Sequence, residues 1–269
     1  TGVPSGFYDL DKMTSGFHSN ELIILAARPA MGKTAFGLNL AVNAAISTKK
    51  SVAIFNMEMN AEQLAMRMIA SAGGIELNKL RTGRLEHNDW RKVNEAMSEL
   101  GDTHLYIEDS SGMTVSEIRA KCRRLATKEP GLAMVVIDYL QLIQGGAKYE
   151  GNRQQEVSEI SRSLKTMAME LKIPVIALAQ LSRSVELREN KRPIMSDLRE
   201  SGSIEQDADI VAFLYRDDYY NKSAAEQSNV SVTELILGKH RNGSTGTIEL
   251  LFERDMSNFR NYIKKNEEK

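Results

Sequence analysis

The sequence predicts an α/β fold: a mostly parallel central sheet flanked by helices, with an antiparallel hairpin extension near the C-terminal end. Three observations predict it. Apolar runs of strand length alternate with helix-period segments through the first two thirds of the chain, the pattern of a parallel sheet buried on both faces. Leu22 to Thr34 passes from an apolar run into a short loop ending in Gly32-Lys33-Thr34, and a helical pattern follows. Two alternating segments, Val232 to Leu237 and Thr247 to Phe252, flank the turn-rich stretch from Gly238 to Gly246 and read as a β-hairpin.

Composition narrows the function classes. The 269 residues suffice for one large α/β domain or two small ones. With 42% hydrophobic and 26% charged residues the chain is of ordinary globular type. No apolar run is long enough to span a bilayer and no secretory signal opens the chain. A single cysteine, Cys122, excludes an internal disulfide and argues against a Cys-based zinc site, so a reducing cytoplasm is the simplest compartment. Net charge is −1, so nucleic acid, if bound, is met by local loops or by several copies converging their basic residues. Aromatic content of 6% argues against long stacking platforms.

Residues 1–21 are rich in turn formers with a few apolar anchors, and read as the lead-in of a domain cut from a longer protein. Leu22 to Leu25 is a buried strand. The loop after it turns backbone N–H groups and a helix N-terminus toward phosphates, where unpaired donors and partial positive charge favour an anion. Lys33 reaches the β- and γ-phosphates, and the Thr34 hydroxyl helps to hold Mg²⁺. The general pattern G-x-x-x-x-G-K-[ST] has Ala27 at its first glycine; Ala tolerates a strand end, and Pro29 stiffens the loop. The bland alternative is a chance Gly-Lys-Thr in an ordinary strand-to-helix turn.

Ala35 to Ser47 is a helix, and Ser51 to Phe55 a second strand, ending in Asn56-Met57-Glu58-Met59. Asn60 caps a helix running to residue 72. Residues 86–100 form another helix, on which Trp90 is expected as a core or groove anchor. Leu105 to Ile107 is a short strand; of the two readings of Asp109 after it, catalytic or turn-stabilising, the second is the usual role of Asp in turns. Thr114-x-x-Glu117 is a capping box that opens a helix to Thr127. Met134 to Asp138 is an apolar strand running straight into an acid. In a parallel sheet ligands sit beyond the carboxyl ends of the strands, so Asp138 can order the water shell of Mg²⁺ opposite Thr34.

Residues 144–153 form a Gly-rich loop, and a helix follows from Gln154 to Leu171. Val175 to Ala179 is another strand, ending in Gln180, a residue that can report whether a γ-phosphate is present. Residues 183–203 lack apolar periodicity and carry Arg183, Arg188, Lys191, Arg192 and Arg199 among acids. The plain reading is a solvated loop; the functional one is a strand-binding loop that meets phosphates through basic side chains and backbone amides near Gly202. Asp209 to Tyr215 is a strand, residues 217–231 a surface excursion, and Lys239, His240 and Arg241 cluster at the hairpin tip. The tail from Asn261 is expected to fray.

In chain order, Ala27-Arg28-Pro29-Ala30-Met31-Gly32-Lys33-Thr34, Phe55-Asn56-Met57-Glu58-Met59, Val136-Ile137-Asp138-Tyr139-Leu140-Gln141-Leu142 and Gln180-Leu181-Ser182-Arg183 resemble a known set of motifs. So do Ser196 to Asp209 and Gly238 to Gly243. The chain, from Thr1 to about Phe259, resembles the C-terminal RecA-like P-loop ATPase domain of the bacterial replicative DNA helicases, the DnaB-like family. The resemblance implies an ATP- and Mg²⁺-dependent, 5′ to 3′ DNA helicase motor over residues 22–260, with a lead-in at 1–21 and a flexible tail at 261–269. By position it implies that Ala30, Met31, Gly32, Lys33, Thr34, Ala35 and Arg67 bind the nucleotide, and that Thr34 and Asp138 serve Mg²⁺. Glu58 polarises the attacking water, and Gln180 couples γ-phosphate state to the DNA loops. Arg241, helped by Lys239, enters a neighbouring subunit's site. Arg183, Arg199, Glu200 and Gly202 meet single-stranded DNA in a central channel. Implied partners are a homo-hexamer, primase and a helicase loader, in the cytoplasm at the nucleoid. Two other readings stay open from sequence: a filament-forming RecA-like repair ATPase, and a P-loop scaffold without turnover.

Overall fold

A computed structural model describes residues 1–138, 140–145, 151–198, 201–221 and 228–264. Among the described residues the core is built on a nine-stranded sheet. In chain order its strands are β1 (Leu22–Ala27), β2 (Ser51–Asn56), β3 (His104–Glu108), β4 (Leu132–Asp138), β5 (Val175–Gln180), β6 (Ile210–Tyr215), β7 (Val230–His240), β8 (Gly246–Glu253) and β9 (Asn258–Asn261). Their spatial order is β3-β2-β4-β5-β1-β6-β7-β8-β9. The six strands from β3 to β6 pair in parallel, and β6 to β9 pair antiparallel. The expected sheet and its antiparallel extension are both present, with β9 as a strand more than the hairpin reading allowed.

The helices are α1 (Tyr8–Thr14), α2 (Lys33–Thr48), α3 (Ala61–Gly73), α4 (Leu77–Thr82), α5 (His87–Gly101), α6 (Val115–Thr127), α7 (Arg153–Leu171), α8 (Ser201–Asp207) and α9 (Asp217–Tyr220). The capping boxes work as the sequence predicts. The Asn60 side chain accepts from Gln63 N–H, and the Thr114 side chain from Glu117 N–H. β1 alternates its burial between two cores. Ile23, Leu25 and Ala27 join the cluster that holds Phe36 and Leu40 of α2; Leu22, Ile24 and Ala26 join the one that holds Ile160 and Leu164 of α7. Among the described residues no helix is long and apolar enough to cross a membrane.

Several elements differ from expectation. Residues 1–21 contain α1, and Phe7, Leu10 and Phe17 are buried in the α2 core. The Phe7 and Phe36 rings lie 5.1 Å apart, as do Phe36 and Phe259, so the two ends of the chain meet over α2. Asn261, where fraying was expected, pairs with Leu250 and accepts from Tyr8 N–H at 2.8 Å. Trp90 is 52% exposed: the buried stripe of α5 is Asp89, Val93 and Ala96, which turns Trp90 and Met97 outward.

The stretch from Arg183 is not an open loop. It holds short 3₁₀ turns at Arg183–Leu187 and Met195–Asp197, and then α8. Buried Asp197 accepts Arg188 Nη1 at 2.5 Å and Nη2 at 2.8 Å, a bidentate pair that pins the segment. Lys191 is taken up by the Glu186 and Arg188 carbonyls, and Arg192 by Glu234. Arg183 remains exposed, and Gly202 sits in the first turn of α8 rather than in a loop. Arg199 and Glu200 lie outside the described residues.

Candidate nucleotide site

The parallel register brings the candidate residues to one sheet edge. Asn56 pairs with Asp138, and Ala27 with Gln180, so β2 ends level with β4 and β1 with β5, while Asp138 pairs with Leu178, two residues before the end of β5. Beyond that edge lies a cleft of about 360 Å³ lined by Ala30, Gly32, Lys33, Thr34, Glu58 and Gln180, with Ala35 and Arg67 also on its wall. Met31 is the exception: its side chain is buried in the α2 core, leaving its backbone as the part that can meet a ligand.

Lys33 opens α2, whose N-cap is Gly32 in the left-handed region. Burial pushes the Lys33 ammonium below the ordinary lysine range, against the pull of Asp138 and then Glu58 in the other direction. Arg67 is lowered for the same reason and drawn back by the same two carboxylates. The cleft thus holds two cations whose desolvation an anionic ligand would offset.

Thr34 Oγ1 donates to Asp138 Oδ2 at 2.6 Å, and Asn56 Nδ2 donates to the same oxygen at 3.0 Å. Asp138 Oδ1 is buried with no hydrogen-bond partner. A buried carboxylate oxygen without a donor is costly unless a ligand or ion completes it. Among the described residues no group of three or more His, Cys, Asp or Glu could hold a metal ion. A cation at Asp138 would have to take most of its ligands from elsewhere than the protein, which suits a hard ion that keeps water and phosphate oxygens.

Three positioning residues stand within the quoted motifs but were given no role from the sequence. Asn56 Oδ1 accepts from Glu58 N at 2.9 Å and Met59 N at 2.7 Å while its amide nitrogen holds Asp138, so one side chain sets both acids. Gln141 clamps the Gln180 backbone, donating to its carbonyl at 3.0 Å and accepting its N–H at 3.2 Å. Arg28 ties the phosphate loop to the chain after Gln180, donating to Leu181 O at 3.0 Å and Glu186 Oε1 at 3.0 Å. A strand-end Asn before an acid could have pointed to Asn56; the other two follow only from the fold.

The loop departs from the general pattern without strain at Ala27, which is the last residue of β1. The left-handed positions are Ala30, φ 67°, and Gly32, φ 91°. At Ala30 this conformation costs on the order of 1–3 kcal/mol. At Gly32 a Cβ would also lie 2.8 Å from Phe259 and 3.1 Å from Phe252, so the aromatic pair of the C-terminal extension packs directly on the phosphate loop. Gly32→Ala is expected to lower stability by about 2 kcal/mol or more, read as a lower urea midpoint; an unchanged midpoint would show that the rings yield.

Lys239 and Arg241 are not at this cleft. β7 runs through His240, so Lys239 and His240 are paired strand residues, opposite Val211 and Ile210, and not part of the hairpin tip. The Lys239 ammonium donates to Glu205 O. Arg241 pairs with Asp209 Oδ1 at 3.1 Å and donates to Gln206 O at 2.8 Å. Asp209 also accepts from Leu22 N–H, at the start of β1, whereas the phosphate loop follows its end. The two cations thus lie a full strand, roughly 20 Å, from the edge that carries Lys33.

Known proteins resemble this chain in sequence and in fold. Residues 2–261 match the model of the family described as DnaB-like helicase C terminal domain. The chain is 60% identical over 261 residues to a replicative DNA helicase, DnaC, of Bacillus subtilis (strain 168), and 59% identical over 261 residues to DnaB of Geobacillus stearothermophilus. Each alignment covers 97% of this chain and 57% of the relative, so the chain spans little more than half the length of these relatives. A structure solved as a DnaB-like replicative helicase with its interactions with primase superimposes with a TM-score of 0.92 at 45% identity, covering 98% of this chain and 62% of that one. A second structure, solved as an ATPase domain, does so with a TM-score of 0.91 at 45% identity, covering 98% and 92%. The chain therefore belongs to the DnaB-like helicase C-terminal domain family.

Proposed function

We propose that this chain is the ATP-hydrolysing motor of a replicative DNA helicase, drawing single-stranded DNA through a ring of identical subunits. The observation that carries the reading is the convergence of Lys33, Thr34, Glu58, Asp138 and Gln180 on one sheet edge, with Asp138 Oδ1 left unpaired there. Phosphoryl transfer to water asks a protein chiefly for positioning and charge neutralisation, and this set is built for both. Mg²⁺ bound with the nucleotide would neutralise charge on the β- and γ-oxygens. Lys33 and the loop amides bind the phosphates, Thr34 and Asp138 would hold the metal, and Arg67 adds a cation. Glu58, fixed by Asn56, orients water and receives its proton. Gln180 faces the γ-phosphate and leads into the turn that contains Arg183.

The site is completed by a neighbour's Arg241 and Lys239, which is why a ring of identical subunits, a homo-hexamer, is part of the proposal. α8 joins the two halves of the mechanism. Gly202, with Arg199 and Glu200 just before the helix, supplies the DNA contact, and its last carbonyls hold Lys239 and Arg241. Movement of the strand in the 5′ to 3′ direction and contact with primase and a loader belong to the same reading, supported by the primase named with a structural neighbour.

The test is ATP turnover with and without single-stranded DNA on an oligomer resolved by size. Turnover is expected to rise with DNA and with assembly. Arg199→Ala is expected to weaken single-strand affinity and to reduce its salt slope by about one unit. Turnover indifferent to DNA would overturn the motor reading, and unchanged affinity would move the DNA contact away from Arg199.

A further inference from the structure

Arg216 lies at the far end of β6 from Asp209, just past Tyr215, and its side chain is buried at 5% exposure. Its Nη1 donates to the carbonyl of Ala30 at 2.8 Å. Ala30 is the one residue of the phosphate loop held in the left-handed region without being glycine. The same guanidinium lies 5.4 Å over the ring of Phe252, which is stacked on Phe259 and packed against Gly32. Its charge is balanced by Asp218, at 3.3 Å from Nε, and Asp218 in turn accepts from the Ser231 hydroxyl. A buried, paired cation reached from the sheet thus grips the loop at Ala30 directly and at Gly32 through an aromatic ring.

We propose that Arg216 is a positioning residue for nucleotide binding: it holds Ala30 in its left-handed conformation and so keeps the loop amides and Lys33 aimed at the phosphates. The inference rests on the reading of the cleft as a nucleoside triphosphate site. Without the guanidinium, Ala30 relaxes toward the conformations that L residues favour, and the loop loses its phosphate-binding shape. Glycine at position 30 adopts the left-handed conformation freely, so it needs the clamp less. Arg216 and Ala30 are therefore coupled with a definite sign.

Four proteins test this: wild type, Arg216→Met, Ala30→Gly and the double variant. The measurements are the Kd of a non-hydrolysable ATP analogue with Mg²⁺, by calorimetry, and the melting temperature without nucleotide. Arg216→Met is expected to raise Kd about tenfold in the wild-type background and less than about threefold in the Ala30→Gly background, while it lowers the melting temperature similarly in both. Equal fold-changes in Kd in the two backgrounds, or none, would overturn the proposal, because a role confined to packing moves stability alone. Should Arg216→Met fail to fold, Arg216→Lys takes its place. It keeps a buried cation beside Asp218 and is expected to give an intermediate Kd, again softened by Ala30→Gly; a wild-type Kd in that variant would overturn the role. A wild-type chain that binds no analogue overturns the reading of the cleft, whereas binding with strictly additive substitutions overturns only the role of Arg216.

Discussion

Lys33→Ala is expected to abolish ATP turnover, with a loss of at least about 10²- to 10³-fold, the scale on which removal of one preorganised donor to a developing charge is felt. The ammonium is buried in the cleft, and its charge is opposed by desolvation and supported by Asp138 and Glu58. A triphosphate is the ligand that would offset that desolvation further. Alanine removes the cation and leaves the helix start intact, because it is the best helix former and Gly32 still caps the turn. Folding is therefore expected to be preserved, with a modest fall in the melting temperature without nucleotide, since Asp138 and Glu58 lose the cation that faces them. The measurements are kcat and melting temperature on the same preparation. Turnover within about threefold of wild type would sink the assignment of the loop.

Arg241→Ala is expected to separate binding from turnover. Nucleotide affinity should stay near wild type, because the residue lies a strand length from its own chain's cleft. Turnover should fall by about 10³- to 10⁵-fold, the range for an arginine finger supplied in trans. The tether makes the residue more than an exposed cation. Asp209 accepts from Arg241, from Leu22 N–H and from Lys165, so Arg241 is anchored to the start of β1. The decisive measurement is mixing. Lys33→Ala and Arg241→Ala, each inactive, should regain turnover together, because some junctions then combine an intact Lys33 with a neighbour's intact Arg241. Mixtures that stay inactive while co-assembling would count against a shared site.

Much of this was legible in the amino-acid order. The capping residues Asn60 and Thr114 start their helices where the sequence predicts, because a cap is a contact between residues three apart. The phosphate loop, the strand-end acids and Gln180 were legible because each lies where a strand ends, and parallel pairing brings strand ends together. Less legible were segments whose order comes from distant partners. The stretch after Arg183 reads as a loop because its apolar residues have no period, yet it is pinned by Asp197, itself buried. α4 is short and presents no buried residue, so it carries no periodic signal. Trp90 was expected as a core or groove anchor, the common use of a lone helical Trp, yet the buried face of α5 is that of Asp89, Val93 and Ala96, which leaves Trp90 outside the core.

Strand length, helix period and caps are local properties, so the fold class, the glycine-lysine-threonine loop and the candidate residues at the strand ends were readable from amino-acid order alone. How those groups are held emerges with the packed sheet. Thr34 meets Asp138 across 104 residues, Arg28 meets Glu186 across 158, and Arg216 meets Ala30 across 186. The sheet also decided that Arg241 faces away from Lys33, because β1 and β6 are parallel and the two residues attach at opposite ends. Range explains the difference: hydrogen-bond donors and acceptors are satisfied by whatever the packed sheet brings within about 3 Å, and no local pattern records which distant residue that will be.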